Sequence, residues 1–393
     1  MGHNSGMTPN AHSPRPLVVF ADDWGRHPSS CQHLVRRLLP RREVVWVNTI
    51  GTRPLRLDLG TARRIAGKLR QWGDSADAAP ADTGPSPRIV APKMLPSFKG
   101  VWRGVNRRLL VRGLRGTFDA FAQAPVVVTT LPLTADLVGR LPAHRWLYYC
   151  VDDFSVWPGY DGATMLAMER DLVPKVDAVV AVSDTLVSHV AKLGKAAHLL
   201  THGVDLAHWQ ASPGPLPACL QGLEPPFVVF WGVIDRRLDL AFVKHLTANL
   251  ARGTVVLVGP REDPDPALVT GPRLALRPAL PFGDLPALAA AASVLVMPYV
   301  DAPVTRAMQP LKLKEYLATG KPAVVRDLPS TRLWADAADL AATPEDFTAA
   351  VTARLTTGLP DAQRVVRERL RDEGWDAKAA EFEQWIDGQV GTR

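Results

Sequence analysis

The sequence predicts an α/β protein with two doubly wound, parallel-sheet domains that face each other across a cleft. Short apolar runs rich in Val, Ile and Leu alternate with segments of helical periodicity, a pattern typical of parallel strands covered on both faces. This alternation occurs twice, and a stretch rich in Pro and Gly at 211–226 separates the two series. With 393 residues, the chain is long enough to form two hydrophobic cores.

The first series predicts a Rossmann-like domain over 16–210, preceded by a disordered N-terminus at 1–15. Helical periodicity appears at Ser30–Leu39 and Asp184–Leu193. The predicted strands are Leu17–Phe20, Val44–Val47, Ile89–Ala91, Val126–Thr130, Trp146–Val151 and Ala178–Val182.

The second series predicts another Rossmann-like domain over 227–373, which the linker at 211–226 joins to the first. Trp375, Phe382 and Trp385 are spaced as on one face of a closing helix within 374–393. The predicted strands are Phe227–Trp231, Thr254–Val258, Leu274–Leu276, Val294–Met297 and Ala323–Val325.

Polar loops that directly follow the strands are the candidate sites, because the carboxyl ends of parallel strands face the cleft. His202 and Glu169 are candidates on the first domain, although His202 could equally be a turn residue and Glu169 a charge on a helix surface. The loop after the first strand adds Asp22, Asp23, Trp24 and Arg26.

Asp152 and Asp153 follow the apolar strand WLYYCV. Neighbouring residues at a strand end point to opposite sides, so one carboxylate can face the cleft, whereas the pair is poorly arranged to chelate one metal ion. Aromatic neighbours such as Trp157 would shield that carboxylate, raise its pKa and make it a general base for a hydroxyl group. The alternative is an aspartate that caps the loop before Ser155.

A helix that leads directly into a buried strand is predicted over the stretch QPLKLKEYLATGKPAVV. Pro310 is expected at its first position and Gly320 just after its end. Lys312 lies in the first turn, where backbone amides and the helix dipole favour an anion, and Glu315 shares its face. This pair suits the phosphates and ribose of a nucleotide, but it could also be an ordinary pair on a solvated helix.

Two further cations follow the first strand of the second domain. Arg236 and Arg237 come shortly after Gly232, which ends that strand. A guanidinium at this position, opposite Lys312, would complete a two-sided clamp on a diphosphate. Each cation taken singly could be a surface charge.

The net charge of +7 is concentrated in the first half of the chain. Lys99–Arg115 combines Lys and Arg with apolar residues such as Trp102 and Leu109 and contains no acidic residue, and Pro54–Trp72 has a similar composition. A basic amphipathic surface can bind an anionic membrane, although a solvated helix packed on its own domain has the same composition. The charge comes without an aromatic platform or a reading motif, so we expect no nucleic acid binding.

Other classes of protein lack support in the sequence. Neither half has a G-x-G-x-x-G motif after its first strand, which argues against a dinucleotide-dependent dehydrogenase. Cys31, Cys150 and Cys219 form neither a metal spacing nor a disulfide framework, as in a reducing compartment. We find neither a secretory signal nor an apolar run long enough to span a membrane, and we therefore expect a cytoplasmic location.

The order of motifs resembles the group 1 glycosyltransferases of the GT-B fold, over nearly the whole chain. The closest resemblance is to bacterial polysaccharide transferases of the xanthan type, which transfer glucuronosyl groups. The most specific motif is LKLKEYLATGKP, and it is preceded by YYCVDDFSVWPG, THGVD, FWGVIDRRLDL, VLVGP and MPYV.

This resemblance implies a donor nucleotide sugar, a UDP-sugar first, bound by the second domain, an acceptor bound by the first, and neither a cofactor nor an essential metal. It places the phosphate-binding lysine at Lys312, the ribose-contacting acid at Glu315 and the catalytic aspartate at Asp153. Gly232, Tyr299 and Gln309 are further candidates on the nucleotide side.

Two positions depart from the family pattern. The first of two glutamates, eight positions before Glu315, is Ala307, and the arginine directly after the strand glycine is Val233. The sequence therefore favours inverting transfer with Asp153 as base, by a peripheral enzyme at the inner face of the cell membrane that extends a lipid-linked or polysaccharide acceptor. A retaining group 1 enzyme and a non-catalytic, two-lobed nucleotide-sugar-binding protein remain the alternatives.

Overall fold

The structure is a computed structural model that describes residues 14–25, 29–48, 85–95, 97–211 and 214–389. Arg26, the basic stretch Pro54–Trp72 and most of the N-terminus predicted to be disordered lie outside the described residues. The boundaries that the sequence predicts for the domains therefore stay a prediction. The described residues form two sheets, each with a hydrophobic core of its own.

The first domain is built on a parallel sheet of seven strands in the order β3-β2-β1-β4-β5-β6-β7. Its central strands are almost entirely buried, which explains why they are predominantly apolar. The strands are β1 Leu17–Ala21, β2 Val44–Asn48, β3 Arg88–Val90, β4 Val126–Thr129, β5 Arg145–Cys150, β6 Ala178–Ala181 and β7 His198–Leu199.

Side-chain caps fix where several helices of this domain begin. The hydroxyl of Ser29 accepts a hydrogen bond from the amide of Gln32, and that of Ser183 accepts one from the amide of Leu186. The helices are α1 Ser30–Leu38, α2 Val101–Asp119, α3 Gly162–Leu172 and α4 Asp184–Lys192, and the short α5 Leu206–Trp209 that follows buries Trp209 in the second core.

The second domain repeats the arrangement with a parallel sheet of six strands in the order β10-β9-β8-β11-β12-β13. The strands are β8 Phe227–Trp231, β9 Thr254–Val258, β10 Leu274–Arg277, β11 Val294–Met297, β12 Ala323–Arg326 and β13 Asp339–Ala341. The helices that follow β8 are α6 Leu240–Asn249, α7 Leu285–Ala291, α8 Pro303–Ala307, α9 Leu311–Ala318, α10 Pro344–Thr357, α11 Asp361–Val366 and α12 Trp375–Asp387.

In both sheets the strand order reverses beside the first strand of the domain. The reversal falls between β1 and β4 in the first sheet and between β8 and β11 in the second. Loops that leave the carboxyl ends of such strands diverge and open a crevice, which is where doubly wound sheets bind ligands. The loops after β1, β8 and β11 carry most of the candidate residues.

All eleven strands predicted from the apolar runs are present, with ends that shift by one residue at most. β7 and β13 were not predicted, because one has two residues and the other is only partly buried, so neither has an apolar run. The prediction for Pro310 was wrong by one position. Its ψ of 115° is extended and its carbonyl accepts the first helical hydrogen bond, from Leu313, so Pro310 caps α9 and the helix begins at Leu311.

The last helix returns to the first domain. Trp375, Phe382 and Ile386 of α12 are buried within the first core. The chain therefore crosses between the domains twice, and the crossings touch where the amide of Val204 donates a hydrogen bond of 2.8 Å to the carbonyl of Glu373.

None of the helices in the described part of the chain is both long and apolar enough to cross a membrane.

Candidate active site

Lys312 and Gly232 are in direct contact at the carboxyl edge of the second sheet. Gly232 follows β8 with a φ of 138°, in the region that favours glycine. A Cβ atom placed on Gly232 would lie 2.0 Å from Cε of Lys312, so the lysine side chain lies directly across the glycine backbone. The structure thus brings together the first turn of α9 and the loop after β8, as the diphosphate hypothesis requires.

Glu315 lies one turn further along α9 and is held by a tryptophan that the sequence analysis did not single out. Nε1 of Trp231, the last residue of β8, donates a hydrogen bond of 3.3 Å to Oε2 of Glu315. Burial raises the pKa of the Glu315 carboxyl, while the Lys312 charge and the Trp231 hydrogen bond oppose that rise. The charge of Lys312 therefore acts directly on the Glu315 carboxyl.

The two arginines after β8 lie in different surroundings. Nε of Arg237 donates to both carboxylate oxygens of Asp235 at 3.0 Å, and its guanidinium carbon lies 4.9 Å from the centroid of the Trp157 ring in the first domain. Nε of Arg236 instead donates to the carbonyl of Asp263 at 3.1 Å, and 46% of its side chain is exposed. Arg237 thus contacts the first domain through Trp157.

Two other residues predicted on the nucleotide side have side chains directed into the protein. Tyr299 is 2% exposed and its ring packs edge-on against Phe230. Gln309 is 8% exposed, and its Oε1 accepts a hydrogen bond of 2.5 Å from the amide of His202. Both side chains leave little surface for a ligand in this conformation.

A buried lysine fixes the helix that carries Lys312. Nζ of Lys314 donates to Oγ1 of Thr201 at 3.2 Å, to Oε2 of Glu373 at 2.6 Å and to the carbonyl of His202. Burial lowers the pKa of Lys314 to about 8, although Glu373 opposes the shift. Lys314 anchors α9 to both crossings between the domains.

His202 therefore lies at a domain crossing, away from the acceptor side on which the sequence analysis placed it. It is 5% exposed, and burial together with the Lys314 charge lowers its pKa to about 3. The ring is neutral near pH 7.

On the first domain, the loops after β1 and β5 converge. The pKa of the Asp152 carboxyl is raised to about 7, mainly by burial, with the Arg237 charge opposing the rise and the charges of Asp153 and Asp22 adding to it. Arg237 thus lies close enough to Asp152 to influence it from the other domain. Asp22 also accepts a hydrogen bond of 3.3 Å from Oγ of Ser29.

Trp24 and Asp23, the next residues of this loop, both make contacts within the first domain. The Trp24 ring packs edge-on against Trp46, with ring centroids 4.7 Å apart, and is 8% exposed. The backbone carbonyl of Asp23 accepts a hydrogen bond of 3.3 Å from Nε2 of Gln32.

Asp153 and Glu169 are linked through His189, a residue that the sequence analysis missed. Nε2 of His189 lies 2.8 Å from Oε2 of Glu169, and Nδ1 lies 3.8 Å from Oδ2 of Asp153. The hydroxyl of Tyr148 donates to the other oxygen of Glu169 at 2.8 Å. Glu169 is 2% exposed, so the interpretation of this residue as a surface charge was wrong.

The two carboxylate oxygens of Asp153 have different partners. Oδ1 accepts hydrogen bonds from the amide and the hydroxyl of Ser155, at 2.9 and 2.5 Å, as expected for a loop cap. Oδ2 faces His189. The capping and base interpretations are therefore compatible, because each uses a different oxygen.

Electrostatics favour a proton on the His189 ring. The hydrogen bond to Glu169 raises the pKa of His189, and the charges of Glu169 and Asp153 raise it further against the effect of partial burial. One ligand atom from each of Asp153, Glu169 and His189 lies within 4.8 Å of the other two, so the three residues could also hold a cation.

The paired sheets and the cleft-facing loops define a two-domain α/β protein of the GT-B class. The chain is similar in fold, with TM-scores of 0.70 and 0.65, to sucrose-phosphate synthase from Thermosynechococcus elongatus and to Anabaena HepE in complex with UDP and glucose. Each match covers 95% of this chain and 99% of the other, at 15% and 12% sequence identity. The predicted fold is confirmed, and so is the resemblance to GT-B glycosyltransferases.

One sequence relative points in the same direction over a shorter span. The chain is 30% identical over 174 residues to TuaH of Bacillus subtilis (strain 168), a proposed teichuronic acid biosynthesis glycosyltransferase. The match covers 42% of this chain and 43% of TuaH, which is less than half the length of either protein. No protein-family model matches the chain.

Proposed function

We propose that this protein is a glycosyltransferase that moves a sugar from a nucleoside diphosphate sugar, with UDP as the preferred nucleotide, to a hydroxyl group of a lipid-linked or polysaccharide acceptor. The observation that carries the proposal is the position of the Lys312 side chain across Gly232, at the start of α9 and at the switch point of a GT-B fold. HepE, similar in fold, binds UDP and UDP-glucose. TuaH supports an acceptor of the polysaccharide class.

The donor half of the reaction uses the second domain. Lys312 and the backbone amides at the start of α9 hold the diphosphate and stabilise the charge that develops as the sugar–phosphate bond breaks. Arg237 adds a cation at the boundary between the domains, and Arg236 adds one further out. Glu315, which Trp231 holds by a hydrogen bond, accepts hydrogen bonds from the ribose hydroxyls in this proposal.

The acceptor half uses Asp153. Its carboxylate takes the proton of the acceptor hydroxyl, the acceptor oxygen forms a bond to the anomeric carbon, and the electron pair of the breaking bond leaves with the diphosphate. Attack from the face opposite the leaving group inverts the anomeric centre. Asp22, Asp23, Trp24 and Arg26 are proposed to lie along the acceptor path, in the loop after β1.

The proposed place of action is the inner face of the cell membrane. Helix α2 contains the whole basic run from Arg103 to Arg115, and Trp102 on the same helix is 49% exposed. A basic surface with exposed apolar side chains is attracted to anionic lipid and would bring the enzyme to a lipid-linked acceptor.

A second candidate function is a non-catalytic protein that only binds nucleotide sugars. Ala307 favours it, because this position has no carboxylate and its backbone carbonyl is already bonded to the Ser183 hydroxyl at 2.6 Å. In that protein the cleft would bind a nucleotide sugar without consuming it.

One experiment separates the two candidates. The purified protein is incubated with UDP-sugars, with and without extracted lipid-linked saccharide, and release of UDP is measured together with NMR of any new glycosidic linkage. Transfer to acceptor with an inverted linkage is expected. Tight binding of UDP-sugars without any release of UDP would instead establish the binding protein, and a retained linkage would exclude Asp153 as the base for direct displacement.

A further inference from the structure

Helix α2 has two faces with opposite character. One face packs into the first core through Asn106, Leu110, Leu114 and Phe118. Arg108, Arg112 and Arg115 follow one another at spacings of four and three residues, so they share a face, and all three are exposed. The packed face explains why the helix is stable, but it leaves the arginine face without an explanation.

A groove with a volume of about 360 Å³ runs along this arginine face. Four of its lining residues, Arg107, Arg108, Arg112 and Arg115, come from α2, and a fifth arginine, Arg140, comes from the segment before β5. The remaining lining residue is Val111, so the groove has no acidic lining. Two separate parts of the chain thus place guanidinium groups around one space.

These arginines differ from others nearby in having few ionic partners. In the parts of the chain that the structure describes, Arg115 lies 4.0 Å from Asp119, and the other four arginines of the groove form no salt bridge. Arg103, on the same helix, donates instead to Asp136 and Asp171 at 2.6 and 2.5 Å. Arginine stays charged at any physiological pH, so the charge in the groove can be balanced only by an anion from outside this set.

The number of guanidinium groups and their planar shape indicate which kind of anion fits the groove. A planar guanidinium donates two parallel hydrogen bonds to a phosphate, and guanidiniums on several sides favour a phosphate that bears two negative charges. The exposed apolar residues Val101, Trp102 and Leu109 lie on the same helix, at 77, 49 and 36% exposure, and suit the interface of a bilayer. The groove therefore combines the features of a phosphate site with those of a membrane-facing surface.

The geometry points to a binding site for the doubly charged phosphate of a lipid headgroup in this groove, formed by Arg107, Arg108, Arg112, Arg115 and Arg140. This site is separate from the donor cleft and does not depend on sugar transfer. It goes beyond general attraction to an anionic membrane, because it selects phosphomonoester headgroups over headgroups with a single charge.

The test compares the full-length protein with the double variant Arg112→Gln/Arg140→Gln in vesicle co-sedimentation. Vesicles of phosphatidylcholine contain either phosphatidic acid or enough phosphatidylglycerol to give the same surface charge. The protein is expected to bind phosphatidic acid vesicles more tightly, and the double variant to lose about tenfold in affinity for them, the effect of one charge-assisted hydrogen bond or more. The control is Arg364→Gln/Arg371→Gln, which removes the same charge from exposed positions in the second domain.

Each of these measurements can support or overturn the proposed phosphate site. Equal binding to the two vesicle types, or an equal loss in the control variant, would overturn the site, because general charge would then account for the binding. Calorimetry with inorganic phosphate distinguishes the source of the phosphate: binding as tight as that to vesicles would overturn the lipid assignment in favour of a soluble phosphate. UDP affinity of the double variant should be unchanged, which shows that the protein is folded and separates this test from that of the donor cleft.

Discussion

Nε2 of His189 lies 2.8 Å from Oε2 of Glu169, and this contact ties a buried carboxylate on α3 to helix α4. Glu169 is 2% exposed, and burying a lone carboxylate in that way would cost several kcal/mol without a partner. The histidine and the Tyr148 hydroxyl supply partners, and the histidine presents its other nitrogen to Asp153. The candidate base Asp153 thus contacts His189 on α4, and His189 in turn contacts Glu169 on α3.

His189→Gln should alter the pH dependence of stability. The folded-state pKa of His189 is raised above its ordinary value of 6.5, so its stabilising contribution is complete below pH 6.5 and is lost as pH rises through the raised pKa. We expect the difference in free energy of unfolding between the wild type and the variant to shrink over that range, as measured by urea titration at several pH values. His245→Gln, in the second domain, is the control. A difference that stays constant with pH would exclude a charged His189.

Asp153→Asn should abolish transfer while UDP affinity stays nearly intact. An amide cannot take a proton, and removal of a general base lowers turnover by about 10²–10⁴-fold. Steady-state assays and calorimetry with UDP measure the two quantities separately. Asp361→Asn is the matched control, because the side chain of Asp361 is 97% exposed on the second domain. Full activity of Asp153→Asn would remove Asp153 from the role of base.

Lys312→Ala should weaken binding of UDP by about 1–3 kcal/mol, the range for a lost hydrogen bond to a charged group. Calorimetry with UDP and with uridine distinguishes the cause, because the loss should appear with UDP and not with the nucleoside. Lys244→Ala removes an exposed lysine from the same domain and should have no effect. If UDP affinity is unchanged, Lys312 does not contact the phosphates.

Gly232→Ala should reproduce most of the Lys312 defect without removal of the lysine. The added Cβ would lie 2.0 Å from Lys312 Cε, so the side chain must leave its position. The two substitutions should also be non-additive in UDP binding, since both remove the same contact. Gly283→Ala is the control, because a Cβ at that position has no atom within 4 Å. Additive losses in the double variant would show that Gly232 acts by another route.

The fold could be predicted because strands that are buried on both faces consist mainly of apolar residues, and such runs are visible in the sequence. Strands such as β8 and β9 are buried at every residue and are therefore apolar except for Thr254 at the start of β9, which identified them. The contact between Lys312 and Gly232 was partly predictable too, since strand ends and helix starts meet at one edge of a doubly wound sheet.

The remaining contacts of the candidate site could not be predicted, because they join side chains from elements that are distant in the sequence. His189 is twenty residues from Glu169, on another helix, and a single histidine in an amphipathic helix gives no signal of its partner. Trp231 appeared only as a core residue, although its indole donates to Glu315 from another part of the chain. Likewise, composition could not distinguish Arg103, which is paired with Asp136, from Arg107, Arg108 and Arg112 on the same helix, which form no salt bridge with any residue that the structure describes.

The contact of Val204 with Glu373 restricts how the cleft can open. The outward and returning segments of the chain are bonded to each other there, and Lys314 donates to both His202 and Glu373 at the same place. Two tethers coupled at one point let the domains rotate about that point more easily than they can slide or twist. Lys312 and Asp153 would then approach and separate along a single arc. Opening and closing of the cleft would mainly change the distance between the Asp153 carboxylate and a diphosphate held at Lys312.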